Sequence, residues 1–247
     1  MKILKNFLEI IFPSHCLACE QIISADSLFC EKCWVKLQFI SEPNCTICAY
    51  PFEFQGLSLI CGKCLTKKPS FDKAIAIFRY NHLLRKIIGS LKYRDQTFLA
   101  QKFARLLLAK SKSELADCDF IVAVPLHLKR LQKRKFNQAV LLAKNLVKLA
   151  PTKKFFPDFL VRTKNTKPQI ELRKKERENN LKNVFAVNKK YRELVRGKKI
   201  LLIDDVMTTG ATVENCAKTL KKCGARKVVV LTIARTALAG IDPETPH

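Results

Sequence analysis

The stretch that decides the fold runs from residue 199 to residue 212 and reads KILLIDDVMTTGAT. Its apolar run predicts a buried β-strand, and the carboxylates of Asp204 and Asp205 follow at the end of that strand. A Thr-Thr-Gly-Ala-Thr turn then leads into a predicted helix, 211–223. Gly210 lets backbone N–H groups approach an anion, and the amino end of the helix adds a partial positive charge. The stretch therefore predicts a cradle for a sugar phosphate, with two carboxylates placed for ribose hydroxyls or Mg²⁺.

Strands and helices alternate on both sides of this stretch. Apolar patterns predict strands at 73–80, 119–125, 159–161, 199–206 and 226–234, and helices at 82–91, 98–110, 137–149 and 211–223. Such alternation predicts an α/β domain with a mostly parallel sheet flanked by helices on both faces. Sheets of this type bind ligands where strand carboxyl ends meet helix amino ends. Gly224 stands where the last of these helices needs a left-handed residue to end.

A cysteine-rich module precedes the α/β domain. Eight of the 11 cysteines form four C-x-x-C pairs, which are Cys16/Cys19, Cys30/Cys33, Cys45/Cys48 and Cys61/Cys64. Because two thiolates on a tight turn can share one tetrahedral ion, four pairs predict two closed, structural zinc sites. Pairing in chain order, with the first four cysteines in one site and the last four in the other, is favoured over an interleaved arrangement. Redox-active pairs normally occur singly at a helix start, so they are the weaker interpretation.

The other cysteines and the neighbouring histidine need no metal. The odd total of 11 argues against a fully paired disulfide scaffold. We expect Cys118, Cys216 and Cys223 to be ordinary structural residues. His15 is expected to be a bystander, since the thiolates already fill both sites.

The net charge of the chain limits the classes of ligand that it is expected to bind. The chain has 46 Lys+Arg against 21 Asp+Glu, a formal net charge of +25, which favours phosphate-bearing partners. Nine cations are concentrated between residues 153 and 177: Lys153, Lys154, Arg162, Lys164, Lys167, Arg173, Lys174, Lys175 and Arg177. This density is typical of a surface for a nucleic-acid backbone. Two alternatives stay open: the polar segment 163–183 covers the site, or a Lys-rich composition raises the charge without any nucleic-acid partner.

The N-terminal stretch MKILKNFLEIIFPSHC predicts an amphipathic helix rather than a secretory signal. Glu9 interrupts its apolar run, Pro13 ends it, and no small-residue cleavage site precedes Cys16. No run of about 18 apolar residues is present, so the sequence predicts no membrane span. We therefore expect a cytoplasmic protein with reduced thiols.

Residues 200–212 closely resemble the fingerprint of the type I phosphoribosyltransferases, an apolar strand followed by two acidic residues and T-T/S-G-x-T. That family binds 5-phosphoribosyl 1-pyrophosphate (PRPP) with Mg²⁺. Together with the cysteine pairs, residues 12–235 resemble the ComF family, also called ComFC, which is linked to natural competence and DNA uptake. Three further segments carry this resemblance: LKY at 91–93, VPLH at 124–127 with Arg130, Arg134 and FNQ at 136–138, and the series Arg162, Thr166, Gln169, Arg177, Asn180 and Phe185.

The resemblance implies roles for individual residues. Asp204 and Asp205 are the implied catalytic carboxylates. The implied PRPP-binding residues are Asp204, Asp205, Val206, Met207, Thr208, Thr209, Gly210, Ala211 and Thr212. Contacts to pyrophosphate or another anion are assigned to Lys92, Pro125, Leu126, His127, Arg130 and Arg134, with a solvated surface as the alternative for each cation. Lys135 stands where the family usually has Gly, so a Cβ there alters the turn that positions pyrophosphate.

The predicted organisation is an N-terminal helix and double zinc ribbon (1–68), a phosphoribosyltransferase-like domain (69–240) and a flexible tail (241–247). Three functions are compatible with it. The first is a PRPP- and Mg²⁺-binding protein that works with the DNA-uptake machinery by handling incoming single-stranded DNA. The second is an active phosphoribosyltransferase of nucleotide metabolism with an unidentified acceptor and no DNA role. The third is a zinc-ribbon adaptor with an inactive transferase fold.

Overall fold

The structure is a computed structural model that describes residues 13–24, 27–53, 59–91, 98–126, 136–163 and 184–237. The cysteine-rich module contains β1 (Ser14–His15), β2 (Ile22–Ile23), α1 (Glu31–Trp34) and α2 (Gly62–Thr66). The α/β part contains β3 (Lys73–Arg79), α3 (His82–Ser90), α4 (Phe98–Lys110), α5 (Lys112–Asp117), β4 (Phe120–Ala123), α6 (Gln138–Leu149), β5 (Lys154–Phe156), β6 (Leu160–Arg162), β7 (Phe185–Val187), β8 (Lys199–Met207), α7 (Ala211–Lys222) and β9 (Lys227–Arg235). Two short 3₁₀ turns, Lys189–Tyr191 and Glu193–Val195, precede β8.

Five parallel strands form the central sheet in the order β3-β9-β8-β4-β5. β8 lies in the middle, and residues 200–203 are buried because neighbours cover both its edges and both its faces. α6 returns the chain from β4 to β5 on one side of this centre, and α7 returns it from β8 to β9 on the other. Right-handed crossovers that run in opposite directions place these helices on opposite faces of the sheet. The predicted parallel sheet with helices on both faces is therefore confirmed.

Helix termini follow their local sequence. Asn81 and Asn137 cap α3 and α6, each with a side-chain oxygen that accepts a backbone N–H bond of 3.0 Å. Gly224 follows α7 in a left-handed conformation with φ +94°, as its position predicted. One side of α7 forms an apolar stripe that faces the protein core. Its residues Val213, Cys216, Ala217 and Leu220 are all buried. Among the helices of the described ranges, none has the length and apolar character to cross a membrane.

Within the α/β part, one short α-helix and two short strands were absent from the sequence-based prediction, as were the short elements of the cysteine-rich module and the two 3₁₀ turns. β5 is a three-residue edge strand whose residues read as part of a cation-rich segment, and α5 is a six-residue helix. β7 pairs antiparallel with β6 in a separate two-stranded sheet, with Leu160 opposite Val187. Strands this short contain too few residues for a periodic pattern, and only their partners define them.

Candidate functional site

A polar cleft of about 180 Å³ opens where β4 and β8 end. The direction of the crossovers reverses between these two strands, which is the position at which open α/β sheets bind ligands. The walls are supplied by residues 124–126 after β4, residues 137–139 at the start of α6, Arg162 of β6, and residues 204–206, 208 and 212 of β8 and the following turn. Two helix amino ends, those of α6 and α7, therefore contribute to one cleft.

Two adjacent carboxylates form one wall of the cleft. Asp204 and Asp205 are partly buried, and their side chains accept the backbone N–H of the next residue at 2.9 and 2.8 Å. Burial raises the pKa of the Asp204 carboxyl well above its usual range, and the nearby Asp205 carboxylate raises it further. A cation in the cleft would relieve this repulsion and favour the deprotonated form. The oxygen donors and their excess of negative charge fit Mg²⁺, which Asp204 and Asp205 would hold together with a phosphorylated ligand.

The Thr-Gly turn, residues 208–212, follows β8 and includes the start of α7. Gly210 has φ +80°, and a Cβ there would come within 2.9 Å of the Met207 Cε atom. The hydroxyl of Thr209 accepts the Ala211 backbone N–H at 3.4 Å, so this side chain supports the turn from within. Thr208 and Thr212 line the cleft. The amino end of α7 therefore presents backbone and hydroxyl groups to an anion.

The start of α6 supplies polar groups that the predicted site did not include. The Asn137 side chain caps α6 and donates to the Val124 carbonyl at 2.8 Å, which ties the helix to the end of β4. Gln138 is 3% exposed, and within the described residues its amide Nε2 has no hydrogen-bond partner. An unsatisfied buried donor costs about 1–3 kcal/mol, so this amide is placed for an acceptor on a ligand.

Of the predicted ligand-binding residues that the structure describes, most but not all line this cleft. Those that line the cleft are Asp204, Asp205, Val206, Thr208, Thr212, Pro125 and Leu126. Met207 is buried, and Thr209, Gly210 and Ala211 do not line the cleft. Lys92, His127, Arg130, Arg134 and Lys135 lie outside the described residues. Asn137, Gln138 and Arg162 were missed as site residues although they stand in the segments that carried the family resemblance.

The cation-rich segment is described only at its beginning, and the rest, from Lys164 to Arg177, lies outside the described residues. Lys153 donates to the carbonyls of Ala116 and Cys118 at 2.8 and 2.7 Å and so caps the end of α5. The guanidinium of Arg162 lies over the Phe185 ring, 5.6 Å from its centroid, beside the cleft. Lys154 is exposed on the edge strand β5. Two of the three described cations therefore have local roles in the fold or cleft.

The cysteine pairs form two clusters in chain order. One contains Cys16, Cys19, Cys30 and Cys33, the other Cys45, Cys48, Cys61 and Cys64, and within each the four sulfurs lie within 4.8 Å of one another. Four sulfurs at ~2.3 Å from one tetrahedral zinc ion are ~3.8 Å apart. The Sγ atoms of Cys19 and Cys30, and those of Cys48 and Cys61, are both 3.6 Å apart, which fits that geometry. The ordered arrangement, not the interleaved one, is the one that the structure contains.

The two clusters repeat one local structure. The first pair of each lies on a turn whose last residue, Glu20 or Ala49, has positive φ. The first cysteine of each turn donates its backbone N–H across it at 2.8 Å, to the carbonyl of Gln21 or Tyr50. The second pair of each begins a short helix, α1 or α2, with its first cysteine at the N-cap. Each site therefore combines one tight turn with one helix amino end, and both favour thiolates.

Thiol pKa values within the clusters diverge. Burial raises the pKa of Cys16, but backbone N–H donors outweigh it and lower the value to about 6. Burial and the neighbouring thiols raise the pKa of Cys33 to about 12. Four thiolates so close together repel one another, and a divalent cation removes that repulsion. Of the cysteines outside the clusters, Cys118 and Cys216 are buried, as an ordinary structural role requires.

The sheet order, the acidic and Thr-Gly segment after β8, and the paired four-cysteine clusters define a phosphoribosyltransferase-type fold with an N-terminal double zinc ribbon. Family models agree, with a double zinc ribbon domain at residues 7–65 and a phosphoribosyl transferase domain at residues 137–244. The chain is 32% identical over 230 residues to Competence protein F of Haemophilus influenzae, covering 91% of this chain and 98% of that protein. The chain belongs to the ComF family.

Two further relatives extend the comparison. DNA utilization protein YhgH of Escherichia coli is 34% identical over 198 residues, covering 78% of this chain and 84% of the relative. Competence protein ComFC of Bacillus subtilis is 27% identical over 223 residues, covering 87% of each. Among solved structures, glutamine phosphoribosylpyrophosphate amidotransferase from B. subtilis is 16% identical with a TM-score of 0.40, over 59% of this chain and 30% of that one. A likeness at that level carries no functional argument.

Proposed function

We propose that the protein binds PRPP with Mg²⁺ in the cleft between β4 and β8 and acts in DNA uptake by handling incoming single-stranded DNA in the cytoplasm. The ligand assignment rests on one observation: groups that need a cation and a group that needs a hydrogen-bond acceptor line the same small cleft. One side of the cleft holds a carboxylate pair that needs a cation. Another holds the buried side-chain amide of Gln138, which has no hydrogen-bond partner among the described residues and needs an acceptor. Mg²⁺–PRPP supplies both, because it brings a cation and many phosphate oxygens.

The charges of the walls orient the ligand. The 5-phosphate belongs on residues 208–212, where the amino end of α7 favours an anion. The ribose hydroxyls donate to Asp204 and Asp205 in their deprotonated form. The pyrophosphate then extends toward residues 124–126 and the start of α6, with Gln138 as a donor. Bound Mg²⁺ would neutralise charge on the pyrophosphate as it leaves.

An active transferase is the second candidate function, because the carboxylates and the phosphate-binding turn face the same cleft. In such a reaction the bond from ribose C1 to the pyrophosphate oxygen breaks, pyrophosphate leaves, and a nucleophilic acceptor forms the new bond at C1. Release of pyrophosphate from PRPP with a panel of acceptors tests this function. Release that no acceptor accelerates would leave PRPP as a ligand only and contradict the transferase.

The ligand assignment is tested by calorimetric titration of the zinc-loaded protein with PRPP and Mg²⁺. We expect Asp204→Asn/Asp205→Asn to weaken binding by at least about 100-fold, because each of the two charge-assisted hydrogen bonds contributes about 1.5–3 kcal/mol. The control is Asp117→Asn/Asp119→Asn, which changes charge equally at the opposite end of β8, where these carboxylates contact Lys199. Undiminished affinity in the first variant, or equal losses in both, would contradict the assignment.

The DNA role is supported by the printed names of the relatives, which refer to competence and DNA utilization, and by the net charge of +25. Binding of a fluorescent single-stranded oligonucleotide should weaken steeply with salt, with a log–log slope of about −0.7 per phosphate contacted. The same sequence as a duplex is the control for strand preference. An affinity that stays flat from low to moderate salt would exclude contacts to the DNA backbone.

A further inference from the structure

One buried arginine connects the second cysteine cluster to the phosphate-binding turn. Arg235, the last residue of β9, is 1% exposed and is among the largest fully buried side chains. Its Nε donates to the Cys48 carbonyl at 3.1 Å, and its Nη2 lies 4.0 Å from the Cys48 Sγ. Its Nη1 donates to the carbonyl of Met207 at 3.2 Å and to that of Thr208. A single guanidinium therefore contacts a cysteine of the second cluster and the start of the turn.

The charge of this guanidinium needs a partner. A buried arginine is stable only where a negative group and hydrogen bonds compensate for lost hydration. Among the described residues, none of the carboxylates forms an ion pair with Arg235. Zn²⁺ bound by four thiolates has a net charge of 2−, so the metal-loaded second cluster is the counter-charge that Arg235 lacks. Neutral thiols would not supply it.

A lysine of the second ribbon forms another connection. Lys63 stands between the cluster cysteines Cys61 and Cys64, and its Nζ donates to the Thr209 carbonyl at 2.5 Å. Lys32 occupies the equivalent position between Cys30 and Cys33 in the first ribbon, is exposed, and among the described residues has no bond to the turn. The chain thus contains its own matched control, since the same position contacts the turn in only one of the two ribbons.

These contacts hold the carbonyl side of two peptides in the turn, the one after Thr208 and the one after Thr209. The C=O and N–H of a trans peptide point in opposite directions. Bonds from Arg235 and Lys63 to the carbonyls of Thr208 and Thr209 therefore direct the N–H groups of Thr209 and Gly210 away from the ribbon. Backbone N–H groups in a fixed orientation bind a phosphate without reorganising.

We propose that zinc in the second cluster positions the phosphate-binding turn through Arg235 and Lys63, so that PRPP affinity depends on zinc at this cluster and not on zinc at the first. This inference rests on the proposed binding of PRPP. Because coupling between two sites is reciprocal, PRPP must also retain zinc in the second cluster. Arg235 and Lys63 are thus positioning residues that act on the ligand through the backbone of the turn.

The first test is zinc release from the wild-type protein to a colorimetric chelator, with and without PRPP–Mg²⁺. We expect release in two phases, one of which PRPP slows at least 5-fold while the other is unchanged. Lys63→Met should raise the PRPP Kd about 5-fold and shorten the protected phase, whereas Lys32→Met should change neither. Both lysines are exposed, so neither substitution is expected to unfold the chain.

A second pair of variants removes the metal from one cluster at a time. Cys45→Ser/Cys48→Ser should weaken PRPP binding at least 10-fold, whereas Cys16→Ser/Cys19→Ser should leave it within 2-fold of the wild type. PRPP binding that is the same at every zinc content, or zinc release that PRPP does not alter, would overturn the coupling alone. A wild-type protein that binds no PRPP would overturn the proposed function and the coupling with it.

Discussion

Replacing Gly210 with alanine tests whether the turn after β8 has the backbone conformation that a phosphate site requires. With φ +80°, Gly210 lies where an L-residue pays about 1–2 kcal/mol. The new Cβ would also meet the Met207 Cε at 2.9 Å, but this atom ends a flexible side chain and can move. Reduced entropy of the unfolded chain offsets about 0.4–1 kcal/mol. The net destabilisation is therefore about 1 kcal/mol, or a Tm lower by about 2–4 °C for a chain of this length.

The matched control is Gly89→Ala in α3. A Cβ at Gly89 meets no atom within 4 Å, and alanine in a helix is more stable than glycine by about 0.5–1 kcal/mol. Thermal denaturation of both variants should therefore give shifts of opposite sign. PRPP titration should show weaker binding for Gly210→Ala only. A Gly210→Ala variant that melts at or above the wild-type temperature would refute the assigned conformation of the turn.

Further predictions concern charge, metal and a helix end. Because the pKa of Asp204 is raised in the folded state, its negative charge lowers the free energy of unfolding, and this loss is complete at pH values above that pKa. Asp204→Asn should therefore raise the Tm at neutral pH, and the increase should become smaller as the pH falls. An increase in Tm that is constant with pH would contradict this. For the same reason, wild-type affinity for PRPP–Mg²⁺ should weaken as Asp204 gains its proton, whereas the affinity of Asp204→Asn should not follow that titration. Metal analysis should find two zinc ions per chain, and a value near one would contradict two filled clusters. Lys153→Met should lower the Tm by about 2–4 °C because it leaves the end of α5 without its donor, while Lys154→Met, on the exposed edge, should not change it.

Backbone hydrogen bonds join the cysteine-rich module to the central sheet. The backbone N–H of Ile40 donates to the Ile77 carbonyl, and that of Ala74 donates to the Ile47 carbonyl, at 2.8 and 2.7 Å. The cysteine-rich module thus adds backbone hydrogen bonds along β3, the edge strand of the sheet. An edge strand covered in this way offers fewer free groups for pairing with another chain.

Local patterns were sufficient for the features that depend on neighbouring residues. The four C-x-x-C pairs indicate metal sites because two thiolates on one turn must approach each other. Residues 199–212 predict strand, carboxylates, turn and helix because each step depends on the residues beside it. The type of sheet could be predicted for a similar reason. Strands that alternate with amphipathic helices form a parallel sheet, and the helices that connect the strands cover its two apolar faces.

Tertiary structure alone decided which distant groups meet. Gln138 reads as an ordinary polar residue at a helix start, and only the position of β8 across the cleft makes its buried amide a candidate ligand contact. Arg235 reads as one cation among 46 Lys+Arg, and its contacts to Cys48 and Thr208 span 187 and 27 residues. The hydrophobic periodicity of a sequence predicts helices and strands, but it does not predict contacts between residues so far apart in the chain. Sequence determined the chemistry available at each end of the chain, and the folding of the sheet against the second ribbon determined that a four-cysteine cluster and the Thr-Gly turn share one arginine.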